Sequence, residues 1–286
     1  MVVMQLGFNI LDWQLWAPEL DTLSSMVTTG TQAPLASAGQ SAMIAQRVSA
    51  VTPAVQFIDP MVRRRLSTYG RASLACLNDL QSRCQAALSM PMVFASRHGD
   101  LTRTVEMLEA IARQEPLSPT NFGLTVHNAV AGLAAIIKAN QQPSVALSAG
   151  RDTFWFGLIE AATRSQLADT PHLYLYVDFP VPEIYQGYQD EQETPLALCL
   201  LLGAASAKEQ TVACNLQGGG RTDSMTGSMA VPLAPHSLGW PSAYLFAKSL
   251  IARHGDACDV ATTSAATERY EWHWQFSTLG DGATHG

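Results

Sequence analysis

Apolar residues in this chain gather into short runs separated by polar, Gly- or Pro-marked breaks, and the period of the runs changes along the sequence. Gln5 to Trp16 (QLGFNILDWQLW) reads as a strand with aromatic ends. Asp21 to Gln46 is rich in Ser, Thr, Gly and Ala without a period, the pattern of a surface excursion. Val55 to Asp59 leads into Pro60 and a helix over about Met61 to Ala87, with Leu66, Ala72, Leu74, Ala75 and Leu77 on its buried side. Pro91 to Ser96 (PMVFAS) has the composition of a buried strand, and Leu101 to Arg113 is an amphipathic helix expected to turn Val105, Leu108 and Ile111 inward.

Pro116 to Ala162 is the stretch around which the rest is organised. Ser118 and Pro119 suit a turn into a helix, and Val126 to Ile137 is small and apolar on nearly every face, which predicts a buried helix. Gln141, Gln142 and Pro143 are expected to end it, because proline lacks the donor that a helix interior requires. Ser144 to Ala149 (SVALSA) follows as a short buried strand, and Gly150 turns it into Asp152 and Thr153, an N-cap for the next helix. That helix carries Phe154, Trp155, Phe156, Leu158 and Ile159, so it is apolar nearly all round and needs more than one packing partner.

Farther along, His172 to Phe179 alternates and is closed by Pro180 and Pro182, while Ala197 to Leu202 (ALCLLL) is a second buried strand. Strands alternating with helices predict an α/β layered sheet covered on both faces. Gly218 to Gly220 and the Ser/Thr/Met-rich run to Ser228 read as a flexible loop without a phosphate-binding motif. Trp240 to Arg253 is helical, with Tyr244, Leu245, Leu250 and Ile251 apolar. Glu268 to Phe276 alternates and presents Tyr270, Trp272, Trp274 and Phe276 on one face, and the tail after Leu279 is expected to be mobile.

Composition narrows the class. With 286 residues, 47% hydrophobic and 14% charged, the chain can bury a sizeable core. Its net charge of −7 lacks the basic footprint of a nucleic-acid binder, and no apolar run approaches a membrane span, so a cytoplasmic protein is expected. Cys76, Cys84, Cys199, Cys214 and Cys258 have neither disulfide-framework nor zinc-site spacing, and Cys76 and Cys199 read as core thiols. Arg63, Arg64 and Arg65 stand out in so acidic a chain, either as a solvated helix face or as a docking point for an acidic partner.

A strand, a sharp turn and a buried helix is where several α/β enzymes place a nucleophile. Here the turn holds Gly150, Arg151 and Asp152, none of which is one. Ser96 with His98, or Ser148 with a distant histidine, would be the alternatives for a stand-alone acyltransferase or hydrolase, yet no Gly-x-Ser-x-Gly elbow is present.

SPTNFGLTVHNAVAGLAAI followed by PSVALSAG resembles the condensing-enzyme (β-ketoacyl synthase) pattern, as do FASRHG (Phe94 to Gly99) and RRRLSTYGR (Arg63 to Arg71). The resemblance covers roughly Phe57 to Gly203 and implies one half of a thiolase-like fold over residues 1–203, a mixed sheet covered by helices. Residues 204–286 would then be a helix–strand extension completing the same domain. It places the family's cysteine on Arg151, or with one gap on Gly150, and neither can form a thioester. The histidine motifs of the family's second half are missing, with His236, His254 and His273 in unrelated contexts.

The short form resembles the chain-length-factor subunits of bacterial aryl polyene (type II polyketide) pathways. This resemblance implies a non-catalytic partner of a catalytic β-ketoacyl synthase acting on acyl carrier protein, with no metal and no cofactor. Phe122, Thr125 and Asn128 would face the partner's acyl tunnel, Phe154, Trp155 and Phe156 would fill this subunit's own acyl space, and Arg63 to Arg65 would dock the carrier protein. A structural homodimer is a third class that the sequence leaves open.

Overall fold

β1 (Val3–Trp16) is the strand from which the sheet grows in both directions. Phe8 and Ile10, then Trp13 and Leu15, all enter one core cluster, although the first pair has even numbers and the second odd. A register shift between Ile10 and Asp12 supplies the extra residue that makes this parity change work. Without that bulge the strict alternation of a strand would turn Trp13 and Leu15 to the opposite face.

The computed structural model describes residues 3–18, 46–49, 52–203, 212–220, 239–255, 263–267 and 269–278. The surface excursion expected up to Gln46, apart from Gln46 itself, the run from Arg221 to Ser228, the tail after Leu279 and Cys258 lie outside the described residues.

Besides β1, the strands are β2 (Val48–Ser49), β3 (Met92–Ala95), β4 (Ser144–Leu147), β5 (His172–Asp178), β6 (Leu196–Gly203), β7 (Val212–Gly220), β8 (Thr263–Ala266) and β9 (Tyr270–Thr278). They form one sheet in the order β4-β3-β5-β6-β1-β7-β9-β8, with β2 beside β1. β3 runs parallel to β4 and β5, whereas β5/β6, β6/β1, β1/β7, β7/β9 and β9/β8 are antiparallel. The sheet is therefore mixed. The helices are α1 (Pro60–Arg63), α2 (Thr68–Arg83), α3 (Leu101–Ala112), α4 (Pro119–Gly123), α5 (Ala129–Lys138), α6 (Thr153–Ala168) and α7 (Ser242–Gly255).

Alternate residues of the central strands feed two cores. Leu173, Leu175, Val177, Ala197 and Cys199 pack with α2 and α5 on one face, while Tyr174, Tyr176, Leu198 and Leu200 pack with α6 and α7 on the other. This is an α/β protein with helices on both faces, as the alternation of elements predicts.

The structure corrects several expectations. The single helix over Met61 to Ala87 is broken: α1 ends at Arg63, and Ser67 caps α2 by accepting from the Gly70 amide at 3.1 Å. Residues Gln85–Ser89 tighten into a 3-10 turn after α2 ends. In α3 only Val105 is buried, and Leu108 and Ile111 are half exposed, because the helix docks through its first turns and runs past the body. In α5 only Val130, Ala131 and Ala134 are buried, and Ile136 is 78% exposed. That helix ends before Gln141, at Ala139, which takes a left-handed φ of 50°.

β4 is not a buried strand but the edge of the sheet, with Ser144 and Ala146 exposed. The Gly218 to Gly220 triplet is the end of β7 rather than a loop. Gly218 is accommodated there because the Trp272 ring from β9 lies where any Cβ would stand.

Candidate functional site

The turn after β4 is built from its own backbone. Gly150 holds φ at +59°, the left-handed region that glycine enters without steric cost, and residues Gly150–Asp152 make one 3-10 turn into α6. The Thr153 hydroxyl accepts from the Ala149 amide at 2.8 Å and donates to the Gly150 carbonyl at 2.6 Å. Asp152 occupies the N-cap position but does not cap α6, in contrast to the expectation. Its buried Oδ1 instead accepts from Thr267 Oγ1 at 2.7 Å and from the Trp272 indole at 2.9 Å. The turn is thus tied to β9, more than a hundred residues later in the chain.

α6 is enclosed by aromatic rings. Phe154 meets Tyr174, Tyr176 and Phe246, Trp155 lies against Trp272 and Trp274, and Phe156 meets Tyr270 and Trp272 edge-on. Phe154 and Trp155 are buried in the chain's own core. Phe156 is partly buried on the same cluster. By contrast Phe122 is 59% exposed, Asn128 is exposed, and Thr125 is half-buried with its hydroxyl donating to the Phe122 carbonyl at 2.8 Å.

Beside the turn lies a polar cluster that sequence reasoning missed. Arg97, just after β3, reaches Glu191 at 2.6 Å and grips Asp190 with two bonds of 2.8 and 3.1 Å. Asp178, at the end of β5, accepts from Tyr176 Oη at 2.5 Å, the Arg97 amide at 2.9 Å and Ser96 Oγ at 3.1 Å. Burial pushes Asp178 up to about 6, against the opposing pull of Tyr176 and Arg97, and burial raises Glu191 as well. Arg151 lends positive charge to Glu191, while its own buried Nε has no hydrogen-bond partner among the described residues. No spacing in the sequence joins residues 97, 178 and 190.

Neither serine is set up as a nucleophile. Ser96 is fully buried, donates to Asp178 and accepts from the Gly99 amide, and Ser148 donates to the Arg97 carbonyl at 2.9 Å. Among the described residues neither hydroxyl bonds a histidine, and His127 Nε2 meets the Ser96 backbone carbonyl at 2.8 Å. Burial raises the Cys76, Cys199 and Cys214 thiols far above their ordinary range, which disfavours the thiolate that a nucleophile requires. Among the described residues no cluster of His, Cys, Asp or Glu could hold a metal, and no helix is long and apolar enough to cross a membrane.

Arg64 and Arg65 are exposed and Arg63 half-buried on the α1–α2 turn. That turn is fixed from beneath, because Arg71 donates to the Arg63 and Leu66 carbonyls and Arg103 to the Arg65 carbonyl.

The sequence profile described as "Beta-ketoacyl synthase, N-terminal domain" matches residues 37–275. The chain belongs to the β-ketoacyl synthase family. None of the curated proteins matches it. Among solved structures, this family member is similar to a chain of "Ketosynthase (ApeO) in Complex with its Chain Length Factor (ApeC) from Xenorhabdus doucetiae", at 25% identity and a TM-score of 0.67, covering 94% of this chain and 99% of that one. A more distant likeness, at 10% identity and a TM-score of 0.49, covers 70% of this chain and 64% of a chain from a type II polyketide acyl-carrier protein complexed with its ketosynthase. The fold of this synthase relative is thiolase-like, a mixed sheet between helices with a helix–strand extension on the same sheet.

Proposed function

We propose that this synthase-family chain is a non-catalytic, chain-length-factor-like partner of a catalytic β-ketoacyl synthase, shaping the acyl tunnel for type II polyketide (aryl polyene) or fatty-acid-like elongation on acyl carrier protein. The observation that carries the reading is the turn Gly150–Asp152, which keeps the strand–turn–helix geometry but holds no thiol or hydroxyl nucleophile. Decarboxylative condensation needs a thiolate to hold the acyl group and donors for the developing oxyanion. Gly150 or Arg151 stands at the vestigial position.

Support for a partner comes from what the isolated chain leaves bare. Among the described residues β4 offers an unpaired edge, α5 with its largely exposed Ile136 packs next to it, and Phe122 on α4 is largely exposed as well. A free strand edge next to apolar helices is a ready surface for another chain. In this reading Phe122, Thr125 and Asn128 face the partner's tunnel, and the basic turn Arg63–Arg65 receives the acidic carrier protein. A similar structure that covers 94% of this chain belongs to a ketosynthase in complex with its chain length factor, which favours the same assignment.

The test is reconstitution. The purified chain alone stays unlabelled by an acyl-carrier thioester and by a cysteine-directed condensing-enzyme inhibitor, yet co-purifies with its cognate synthase, and Ile136→Asp abolishes that co-purification. Stoichiometric acylation at any one residue of the chain alone would refute the reading.

A further inference from the structure

Between β5 and β6 the sequence runs FPVPEIYQGYQDEQETPL, with four carboxylates and no Lys or Arg. Two prolines stiffen its entry, and its middle, Glu183–Tyr188, forms a 3-10 segment with Ile184 66% and Tyr188 83% exposed. Singly exposed apolar side chains are ordinary. What distinguishes this pair is the rigidity of the base beneath it.

The loop is closed on itself, since Glu193 accepts from the Val181 amide at 2.7 Å. Arg97 grips Asp190 and Glu191 together, and the Gln192 amide donates to the Gly239 carbonyl at 2.9 Å. The tip is turned by the Tyr185 amide on the Pro182 carbonyl. A tip held this way presents Ile184 and Tyr188 with little ordering entropy left to lose on binding. Arg97 also carries the Ser148 hydroxyl on its carbonyl, so the base of the loop and the end of the free edge strand share one residue.

β4 supplies only about 13 Å of edge at roughly 3.3 Å per residue, whereas a stable interface covers about 800 Å² on each partner. A partner paired along β4 must therefore spread beyond the strand. Past Ser148, the hydrogen-bonded frame leads it to this loop.

We infer that Glu183–Tyr188 is a docking knob for the catalytic synthase subunit, with Ile184 and Tyr188 seated in an apolar pocket whose rim is basic. The inference rests on the heterodimer reading above. Tyrosine and a neighbouring aliphatic group are effective interface anchors once water is excluded. Glu183 at the tip, with the acidic loop behind it, selects a rim of opposite charge and speeds encounter.

The experiment measures binding of the immobilised full chain to the cognate synthase, resolving association and dissociation. The Ile184→Ser/Tyr188→Ser double variant is expected to bind at least tenfold more weakly, through faster dissociation. Glu183→Lys, which leaves the apolar surface intact, is expected to slow association. Leu167→Ser, at an 84% exposed site on the far end of α6, serves as the control and leaves both rates unchanged. All three variants alter exposed side chains, and unchanged thermal melts confirm intact folds. Full affinity in the double variant, or an equal loss in the Leu167 control, overturns the docking knob. Failure of the unaltered chain to bind the synthase overturns the proposed function instead.

Discussion

Asp178→Asn tests whether the buried acid cluster holds the fold or burdens it. Burial shifts Asp178 from an ordinary 3.8 to about 6, and that difference corresponds to ~3 kcal/mol of preference for the neutral acid. The folded pKa lies above the unfolded one. Its contribution is therefore fully present below the unfolded value near 3.8, and it is lost as pH rises through about 6. At pH 7.5 the folded chain carries a carboxylate where it would favour an uncharged group.

Asparagine reproduces the uncharged form: its oxygen accepts from the Arg97 amide and Ser96 hydroxyl, and its amide donates to the Tyr176 oxygen. We expect Asp178→Asn to stabilise the chain at pH 7.5 by up to ~3 kcal/mol, less where water screens the partly exposed side chain. Urea unfolding of both proteins between pH 5 and 7.5 is the assay. Wild-type stability should rise on acidification, with Glu191 and Glu193 contributing in the same direction because burial raises them too. The variant's advantage should shrink as the pH falls. A variant less stable than the wild type at pH 7.5 would refute the reasoning, because the carboxylate would then be a net anchor for Arg97.

Two further outcomes follow from packing. In Gly157→Ala the new Cβ would stand 2.7 Å from the Tyr174 ring and 2.8 Å from the Ala95 Cβ, so a loss of about 1–3 kcal/mol is expected by denaturant titration. Phe122→Ala should lengthen the products of the reconstituted complex and Thr125→Trp should shorten them, as read by mass spectrometry at equal amounts of assembled complex. Because Phe122 is already 59% exposed, its truncation should cost the isolated chain well under the ~3–5 kcal/mol of a core aromatic.

The strands were legible wherever side-chain alternation or a dense apolar run survived, as in β1, β5, β6 and β9. β7 was hidden by its terminal glycines, which look like a loop until the Trp272 ring that covers Gly218 is known. The break before α2 was hidden for a similar reason. Ser67 caps the helix while donating to Asp100 at 2.6 Å, thirty-three residues away. Apolarity in α5 and β4 suggested burial, but composition does not show that β4 stands at the edge of the sheet or that α5 buries only Val130, Ala131 and Ala134. At the site, the missing nucleophile was legible because the turn is local, whereas the Arg97 cluster joins separate segments that share no motif.

The first turns of α6, which are apolar nearly all round, can persist only if they are covered on more than one side. Here β5 provides Tyr174 and Tyr176 on one side of α6, while β9 and α7 bring Trp272, Trp274 and Phe246 to the other. The sheet must bend around α6 for strands at such different positions in it to reach the same helix. The bulge in β1 keeps Phe8, Ile10, Trp13 and Leu15 facing that one core throughout. Asp152 then fastens the turn to the covering strand through Trp272 and Thr267. Those bonds lie at the start of the helix. The same contacts therefore do two things at once: they close the core around α6 and they fasten the turn at its start to a strand more than a hundred residues later.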